Sequence, residues 1–289
     1  MGKIDLQLSG VPETMLWPLW NRAAEMRRNT RLIEDPLAVE LVGRINYDFQ
    51  RSFGKPTAFH PIRARVTDDL IADYAKRVET PVVVALGEGL ETQLWRLDHP
   101  DIQWISVDVP DAIATRNSLL PDHPNATCID CSALDISWMD HVPSGTSPFI
   151  TAAGLFMYFE AEEIRSLMTT IGKRFPGAEL FFDTITPFVS KKTLKGAKVT
   201  KHYTAPAMPW GISFDDLPSF IAGIPGWDPV SIQTYTDPFP SRMRPYNWLK
   251  HIGPIRRAFA GSLVHARVSR GSPSQPADKA TIPRPNTGD

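Results

Sequence analysis

The sequence predicts an α/β fold: a doubly wound, mostly parallel seven-stranded sheet, with N-terminal helices before the sheet and an insert after its fifth strand. Short apolar runs rich in β-branched residues, such as residues 81–87, alternate with amphipathic stretches. This alternation is typical of parallel strands that are joined by crossover helices. The chain of 289 residues is long enough to bury a full core, and we expect a single domain over residues 1–270.

Residues 1–80 are predicted to form a helical cap at the N-terminal end of this domain. Asp35 followed by Pro36 indicates a helix start, because Asp caps a first turn well and Pro fits its backbone angles. Apolar side chains that recur at helical spacing predict a longer helix before the first strand. They are Val66, Leu70, Ile71, Tyr74 and Val78.

Residues 81–186 are expected to form the core of the sheet. The five predicted strands lie in the runs PVVVALG, IQWISVDVP, ATCID, SPFITAAGLF and GAELFFDTI. After the fifth run the alternation stops, and residues 187–227 are rich in proline, aromatic and basic residues, which favours an insert or lid over the strand ends. Two late edge strands are predicted within residues 228–270, and residues 271–289 have the composition of a flexible tail.

The overall charge and the two cysteines exclude several kinds of function. A formal net charge of −1 lacks the basic excess that a nucleic-acid or anionic-membrane binder needs. Cys128 and Cys131 form one C-x-x-C pair without a second Cys or His cluster, so we predict no metal site. With no signal peptide and no run of about 18 apolar residues, a cytoplasmic protein is expected. A homodimer is left open.

A glycine turn follows the first predicted strand and carries the first functional signal. Gly87 and Gly89 would let a ligand approach the backbone and the following helix start closely. Asp108 ends the second strand, where a carboxylate can accept hydrogen bonds from ribose hydroxyls. A ligand that contains adenosine is therefore expected at the carboxyl ends of the strands.

Two further residues bear on whether that ligand is NAD or S-adenosylmethionine. Thr92 stands where a dinucleotide fingerprint has Gly or Ala. Glu88 puts an acid into the turn, which a cationic methionyl group tolerates better than a pyrophosphate does. Both observations favour the sulfonium cofactor, although an NAD(P)-dependent oxidoreductase stays as the alternative from another enzyme class.

The combined pattern resembles the leucine carboxyl methyltransferase family, and within it the bacterial branch related to polyketide O-methyltransferases. The runs that carry the resemblance are VVVALGEGLETQLWRLDHP, WISVDVPDAI, SALDISWMD, AGLFMYFEAEEI and FPGAELFFDTI. They span about residues 30–187. The resemblance implies a class I, Rossmann-like fold and S-adenosyl-L-methionine as cofactor, with S-adenosyl-L-homocysteine as product. It further implies O-methylation of a hydroxyl or carboxyl group on a polyketide-like or other small molecule.

The resemblance also implies which residues hold the cofactor. Arg65 would pair with the cofactor's carboxylate, and the turn of Gly87, Glu88 and Gly89 would border its methionyl part. The other implied contacts are Asp108 and Val109 at the ribose, Ser132, Ala133 and Leu134 around the adenine, and Gly154 and Leu155 beneath the sulfonium. The chain departs from the family at Ala153, where a Glu is usual, which keeps a non-catalytic relative that binds S-adenosylmethionine as a further alternative.

Candidate acceptor and catalytic residues come from the segments after the fourth and fifth strands. Tyr158 matches the family's tyrosine beside the active centre and is expected to orient the acceptor oxygen. His202 in the insert is the candidate base, because histidine titrates near neutral pH. Aromatic residues are expected to wall an apolar acceptor pocket. They are Trp17, Trp20, Tyr203 and Trp210.

Overall fold

Seven strands form one sheet in the computed structural model, which describes residues 3–97, 99–244 and 251–269. The strands are β1 (Val82–Leu86), β2 (Gln103–Asp108), β3 (Ala126–Asp130), β4 (Phe149–Ala152), β5 (Glu179–Thr184), β6 (Trp227–Thr234) and β7 (Ser262–Val268). Their order is β3-β2-β1-β4-β5-β7-β6. The first five strands run parallel, and β7 is antiparallel to both of its neighbours. The predicted doubly wound, mostly parallel sheet is confirmed.

Helices cover both faces and one end of the sheet. In chain order they are α1 (Leu16–Glu25), α2 (Pro36–Arg44), α3 (Phe49–Phe53), α4 (Phe59–Ala75), α5 (Gln93–Leu97), α6 (Pro110–Leu119), α7 (Ala161–Arg174), α8 (Pro187–Thr193), α9 (Leu217–Ala222) and α10 (Gly253–Phe259). Short 3₁₀ turns span Pro12–Met15, Ile136–His141, Phe156–Tyr158, Phe214–Asp216 and Pro240–Met243. No helix in the described part of the chain is both long and apolar enough to cross a membrane.

The apolar run of β1 is buried on both faces of the sheet because helices pack against each face. Val82 and Val84 point into the cluster that includes α7 and α9, whereas Val83 and Ala85 point into the cluster that includes α4. This alternation follows from the two-residue period of a strand. A continuously apolar strand is therefore what a central parallel position requires.

The N-terminal helices pack together and lie against the strand ends. The predicted helix start is confirmed: α2 begins at Pro36, and the Asp35 carboxylate accepts a hydrogen bond from the Ala38 amide at 3.0 Å. α1 packs against α2 and α4, and its buried residues join a third apolar cluster that includes Phe49 and Phe53.

The two late strands were expected at the sheet edges, and for β7 this prediction is wrong. β7 is inserted between β5 and β6, with Phe181 opposite His265 on one side and Ile232 opposite Val264 on the other. Because it is paired on both sides, β7 is almost wholly buried, whereas β6 keeps the exposed residues of an edge strand. The predicted tail, residues 271–289, lies outside the described residues.

Candidate active site

A cavity of about 750 Å³ opens where the strand order reverses between β1 and β4. Four strand ends contribute to its wall through Gly87, Asp108, Gly154 and Asp183. The volume falls in the range of small-molecule sites, and open α/β sheets bind ligands at this position. The predicted location at the carboxyl ends of the strands therefore coincides with the cavity.

The turn after β1 depends on two glycines for both backbone shape and space. Gly87 and Gly89 have φ angles of 62° and 53°, in the left-handed region that side chains disfavour. A Cβ on Gly87 would lie 2.7 Å from Leu155 Cδ1, and one on Gly89 would lie 2.8 Å from Met15 Cβ. The glycines thus let the segment after β4 and the start of α1 close over the turn.

Asp108 is fixed at the end of β2 by backbone donors. Its Oδ2 accepts from the Gly89 amide and its Oδ1 from the Val109 amide, both at 2.8 Å. Burial raises the pKa of this carboxyl, although the two amide hydrogen bonds oppose the rise. Each oxygen keeps a second lone pair, so Asp108 can still accept hydrogen bonds from a ligand in the cavity.

Glu88 does not present its charge to the cavity as the sequence suggested. Its Oε1 accepts from Arg116 Nη2 at 2.8 Å and from Trp104 Nε1 at 3.1 Å, and the Glu88 and Arg116 side chains are 2% and 3% exposed. Burial raises the pKa of Glu88 while Arg116 lowers it. Because this carboxylate is neutralised beneath the turn, Glu88 gives no argument for a cationic cofactor.

Arg116 on α6 is a residue that the sequence analysis missed. Its Nη1 donates to the backbone carbonyls of Gly89 at 2.9 Å and Glu91 at 2.7 Å, and its guanidinium lies 5.4 Å from the Trp95 ring centroid. One side chain therefore fixes the turn and pairs with one carboxylate oxygen, Oε1, of the buried Glu88. The sequence offered no signal for this role, because a basic residue on a helix is usually exposed.

Arg65 lies outside the cavity, and Arg63, two residues earlier on α4, lies on the cavity wall where Arg65 was predicted to lie. The Arg65 Nε donates to Asp69 at 2.9 Å and 3.0 Å on the exposed face of α4. Arg63 lines the cavity, and a Cβ on Gly154 would lie 2.6 Å from its Nη1. Residues two apart on a helix point in different directions, so of these two arginines Arg63 faces the cavity and Arg65 does not.

Asp183 at the end of β5 holds Arg63 in place and was also missed. It accepts from Arg63 Nη1 at 3.1 Å, from the Tyr235 hydroxyl at 2.6 Å and from the Gly154 amide. Burial opposes the charge of Arg63, but Asp183 outweighs it and raises the pKa of the guanidinium. An acid directly after the apolar residues Leu180, Phe181 and Phe182 was the available signal, since a buried carboxylate needs partners.

A buried ionic network ties the N-terminal cap to the glycine turn. Arg22 on α1 pairs with Asp35 at 2.9 Å and Glu91 at 2.8 Å, and its Nη2 donates to the Leu90 carbonyl at 2.7 Å. Arg96 also pairs with Asp35 and Glu91. Since Arg22 and Glu91 both line the cavity, this network sets how the cap sits over the site.

Glu91 makes the stability of this network sensitive to acid. Burial opposes its ionisation, but Arg22 and Arg96 outweigh burial and lower its pKa from 4.5 to about 2. A depressed pKa stabilises the folded state above the unfolded value, and that contribution is lost as pH falls from about 4.5 towards 2. We expect the unfolding free energy of the wild-type protein to exceed that of Glu91→Gln by roughly 3 kcal/mol at neutral pH. In urea titrations at decreasing pH, the two unfolding free energies should become equal near pH 2. A pH-independent difference would contradict this assignment.

The remaining predicted residues divide between the cavity and other places. Val109, Ser132, Ala133, Leu155, Tyr158 and Trp17 lie on the cavity wall. Leu134 packs against the core instead. Trp20 stacks on Phe49 and donates to the Gly54 carbonyl. These two residues are therefore wrongly assigned to ligand contacts.

The three site residues predicted in the insert do not reach the cavity. His202 is exposed on a hairpin turn that the bridge between Lys198 and Thr204 closes, so the predicted base is wrong. Tyr203 packs edge-on against Phe53. Trp210 is 5% exposed in the main apolar cluster. Aromatic residues in the insert serve as core, because they anchor it to the domain.

Part of the insert nevertheless lines the cavity, through residues that the sequence analysis did not predict as site residues. Residues on and after α8 line it, whereas α9 packs its buried Leu217 and Ile221 on the sheet. The lining residues are Val189, Thr193, Ala197, Lys198, Val199, Ala205 and Met208. Only part of the predicted 187–227 insert therefore lines the cavity.

Comparison with known proteins points to one family. A sequence model described as leucine carboxyl methyltransferase matches residues 16–172. The chain is 30% identical to the tetracenomycin polyketide synthesis O-methyltransferase TcmP of Streptomyces glaucescens, over 76% of this chain and 82% of that protein. It is 26% identical to the S-adenosyl-L-methionine-dependent methyltransferase dpfgK of Gibberella zeae, over 61% and 65%. A candidate methyltransferase from Thermobifida fusca YX shares the fold, with a TM-score of 0.57 at 14% identity over 81% and 93%.

Proposed function

The chain belongs to the leucine carboxyl methyltransferase family, and on that premise we propose that it transfers the methyl group of S-adenosylmethionine to a carboxylate oxygen of a small aromatic molecule. The name of TcmP states methyl transfer to oxygen, and the name of dpfgK states S-adenosyl-L-methionine as the cofactor of methyl transfer. The choice of a carboxylate over a hydroxyl is the finer part of the proposal, and it rests on the cavity.

The cavity residues fit the cofactor's chemical groups. Asp108 offers carboxylate lone pairs suited to ribose hydroxyls. Arg63 offers a guanidinium suited to the carboxylate of the methionyl part, because a guanidinium matches that group with paired donors. Gly87 and Gly89 line the cavity beside them with backbone that carries no side chain. When bound, S-adenosylmethionine supplies a methyl group activated by a positively charged sulfur.

The pairing of the carboxylates on the cavity wall is the reason for proposing a carboxylate acceptor over a hydroxyl acceptor. Among the described residues on its wall, Glu88 pairs with Arg116, Glu91 with Arg22 and Arg96, and Asp183 with Arg63. Asp108 is held by two backbone amides. A hydroxyl acceptor needs a proton acceptor in the site, whereas a carboxylic acid is already ionised at neutral pH. The engaged carboxylates therefore favour an acceptor that needs no base.

The aromatic part of the proposal rests on the apolar wall of the cavity. Trp17, Phe59, Phe159 and Met208 line it, and apolar side chains with a few convergent polar groups are typical of small-molecule sites. The chain's part in the reaction is then to hold the acceptor in line with the methyl group and exclude water, which accounts for large effective molarities in displacement reactions.

The proposal is tested with matched acceptors. Purified protein and S-adenosylmethionine are incubated with polycyclic aromatic acids, and with the corresponding phenols and carboxamides, and products are identified by mass spectrometry. We expect methyl esters, recognised because alkali returns the acid and methanol. Methylation of the phenols alone, stable to alkali, would contradict a carboxylate acceptor while keeping an O-methyltransferase.

Tyr158 is expected to orient the acceptor rather than to bind the cofactor. It lines the cavity, and burial raises the pKa of its hydroxyl, which therefore stays protonated and able to donate. Tyr158→Phe should lower kcat by roughly tenfold, which is the effect expected from the loss of about one hydrogen bond. Its affinity for S-adenosylhomocysteine, measured by calorimetry, should stay within about twofold of the wild-type affinity. Equal losses in both measurements would assign Tyr158 a structural role instead.

A further inference from the structure

A histidine on the cavity wall, His60, is held by an asparagine whose orientation is fixed. Asn21 on α1 uses its Oδ1 to accept from the Thr57 backbone amide at 3.2 Å, which only the carbonyl end of the side chain can do. Its Nδ2 donates to Thr57 Oγ1 at 3.1 Å and faces His60 Nδ1 at 2.5 Å. The amide nitrogen of Asn21 therefore points at the ring.

This orientation decides where His60 carries its proton. Because Asn21 Nδ2 is a donor, His60 Nδ1 must accept, and the single proton of a neutral imidazole then sits on Nε2. The ring is also packed by Trp17, whose centroid lies 5.8 Å away in an edge-on arrangement. Among the described residues, no hydrogen-bond partner of His60 Nε2 is found, and the side chain lines the cavity.

The charged groups around His60 keep it neutral. Burial lowers its pKa well below 6.5, Arg63 from its own helix and Arg22 from α1 lower it further, and Glu91 in the turn opposes them. Arg63 lies one turn along α4 and also faces the cavity. The Nε2–H of His60 lies on the same wall as the Arg63 guanidinium, whose Nη1 pairs with Asp183, and an N–H donor beside a guanidinium is suited to an anionic oxygen.

We propose that Asn21 fixes His60 as the neutral Nε2–H tautomer, so that His60 donates a hydrogen bond to a carboxylate in the cavity and is not the general base of methyl transfer. The carboxylate has two possible sources, the cofactor's methionyl end and the acceptor of the proposed function. Only the second source rests on that function. Asn21 is then a positioning residue that acts through His60.

The tautomer is measured directly in the free protein. Nitrogen-15 NMR of labelled protein, with His60 assigned by its loss in His60→Gln, should show an unprotonated Nδ1 and a protonated Nε2 across neutral pH. Asn21→Asp should reverse this pattern, since a carboxylate accepts from Nδ1–H. A protonated Nδ1 in the wild-type protein would overturn the proposal, and this result depends on neither cofactor nor acceptor.

Calorimetry then identifies the carboxylate. If His60 contacts the cofactor, His60→Phe should weaken S-adenosylhomocysteine about 10- to 100-fold, as loss of a hydrogen bond to a charged group does. Methylthioadenosine, which lacks the aminoacyl end, should bind His60→Phe and wild type alike. If His60 contacts the acceptor, the same loss should appear as a raised KM for the aromatic acid, with S-adenosylhomocysteine binding unchanged.

The conservative variant separates a donor from a base. His60→Gln keeps an N–H of similar reach and should retain most of whichever affinity His60→Phe loses. Asn21→Asp should not raise kcat/KM, because the proposed role needs the donor that this change removes. The proposal fails if His60→Gln is as impaired as His60→Phe, or if Asn21→Asp gains activity with a new titration near the usual histidine pKa.

Discussion

Arg63→Met is expected to weaken binding of S-adenosylhomocysteine by about 100-fold or more. Arg63 lies on the cavity wall beside Gly154, and a guanidinium that pairs with a carboxylate contributes about 1.5–3 kcal/mol for each charge-assisted hydrogen bond. Two such bonds account for the expected loss. Isothermal titration calorimetry with S-adenosylhomocysteine measures it without any knowledge of the acceptor.

The same helix provides the matched control for Arg63. Arg65 pairs with Asp69 on the surface, and their side chains are 45% and 55% exposed, so Arg65→Met should leave the affinity within about twofold. Arg63→Lys keeps a cation beside the buried Asp183, so a loss of affinity in this variant as well is due to the missing guanidinium and not to an unpaired Asp183. Loss of affinity in Arg65→Met, with Arg63→Met unaffected, would reverse the assignment of these two residues.

Arg116→Met is expected to lower the unfolding free energy by about 3–5 kcal/mol. The change leaves Glu88 buried without its cation, and it removes the donor to the carbonyls of Gly89 and Glu91. Because the glycine turn loses its fixed shape, cofactor affinity should also fall. Urea denaturation, followed by tryptophan fluorescence and circular dichroism, measures the loss.

A double substitution shows whether Glu88 is the cause. Glu88→Gln combined with Arg116→Met removes the unpaired charge and should recover part of the stability lost in Arg116→Met. Arg174→Met is the control, since Arg174 pairs with Asp140 at the surface, with 53% and 80% of their side chains exposed, and should change stability by less than about 1 kcal/mol. Strictly additive effects of the Glu88 and Arg116 changes would contradict the coupling.

The parts of the fold that the sequence predicted well are those in which one local pattern decides the outcome. The buried run of β1 needed helices on both faces, and the Asp35 cap needed only its own turn. Gly87, Gly89 and Asp108 also lie where expected on the cavity wall, because the end of a parallel strand has one location in a sheet of this kind.

The residues that were misplaced depend on which way a side chain points in three dimensions. Arg63 and Arg65 are two positions apart in one helix, and only the packing of α4 shows which faces the cavity. His202 was selected for its pKa, yet His60 is the histidine on the wall. Arg116 and Asp183 act through partners 27 and 120 residues away along the chain, which sequence spacing does not reveal.

The insertion of β7 between β5 and β6 also constrains the order of folding. Glu179 on β5 pairs with Arg267, so one side of β5 has no strand partner until almost the whole described chain has been synthesised. Exposed strand edges recruit other chains, and contacts distant in sequence form slowly. A nascent chain in which β1 to β5 have assembled would therefore expose an unpaired β5 edge to which other chains could bind. This edge is covered once β7 has left the ribosome and paired with β5.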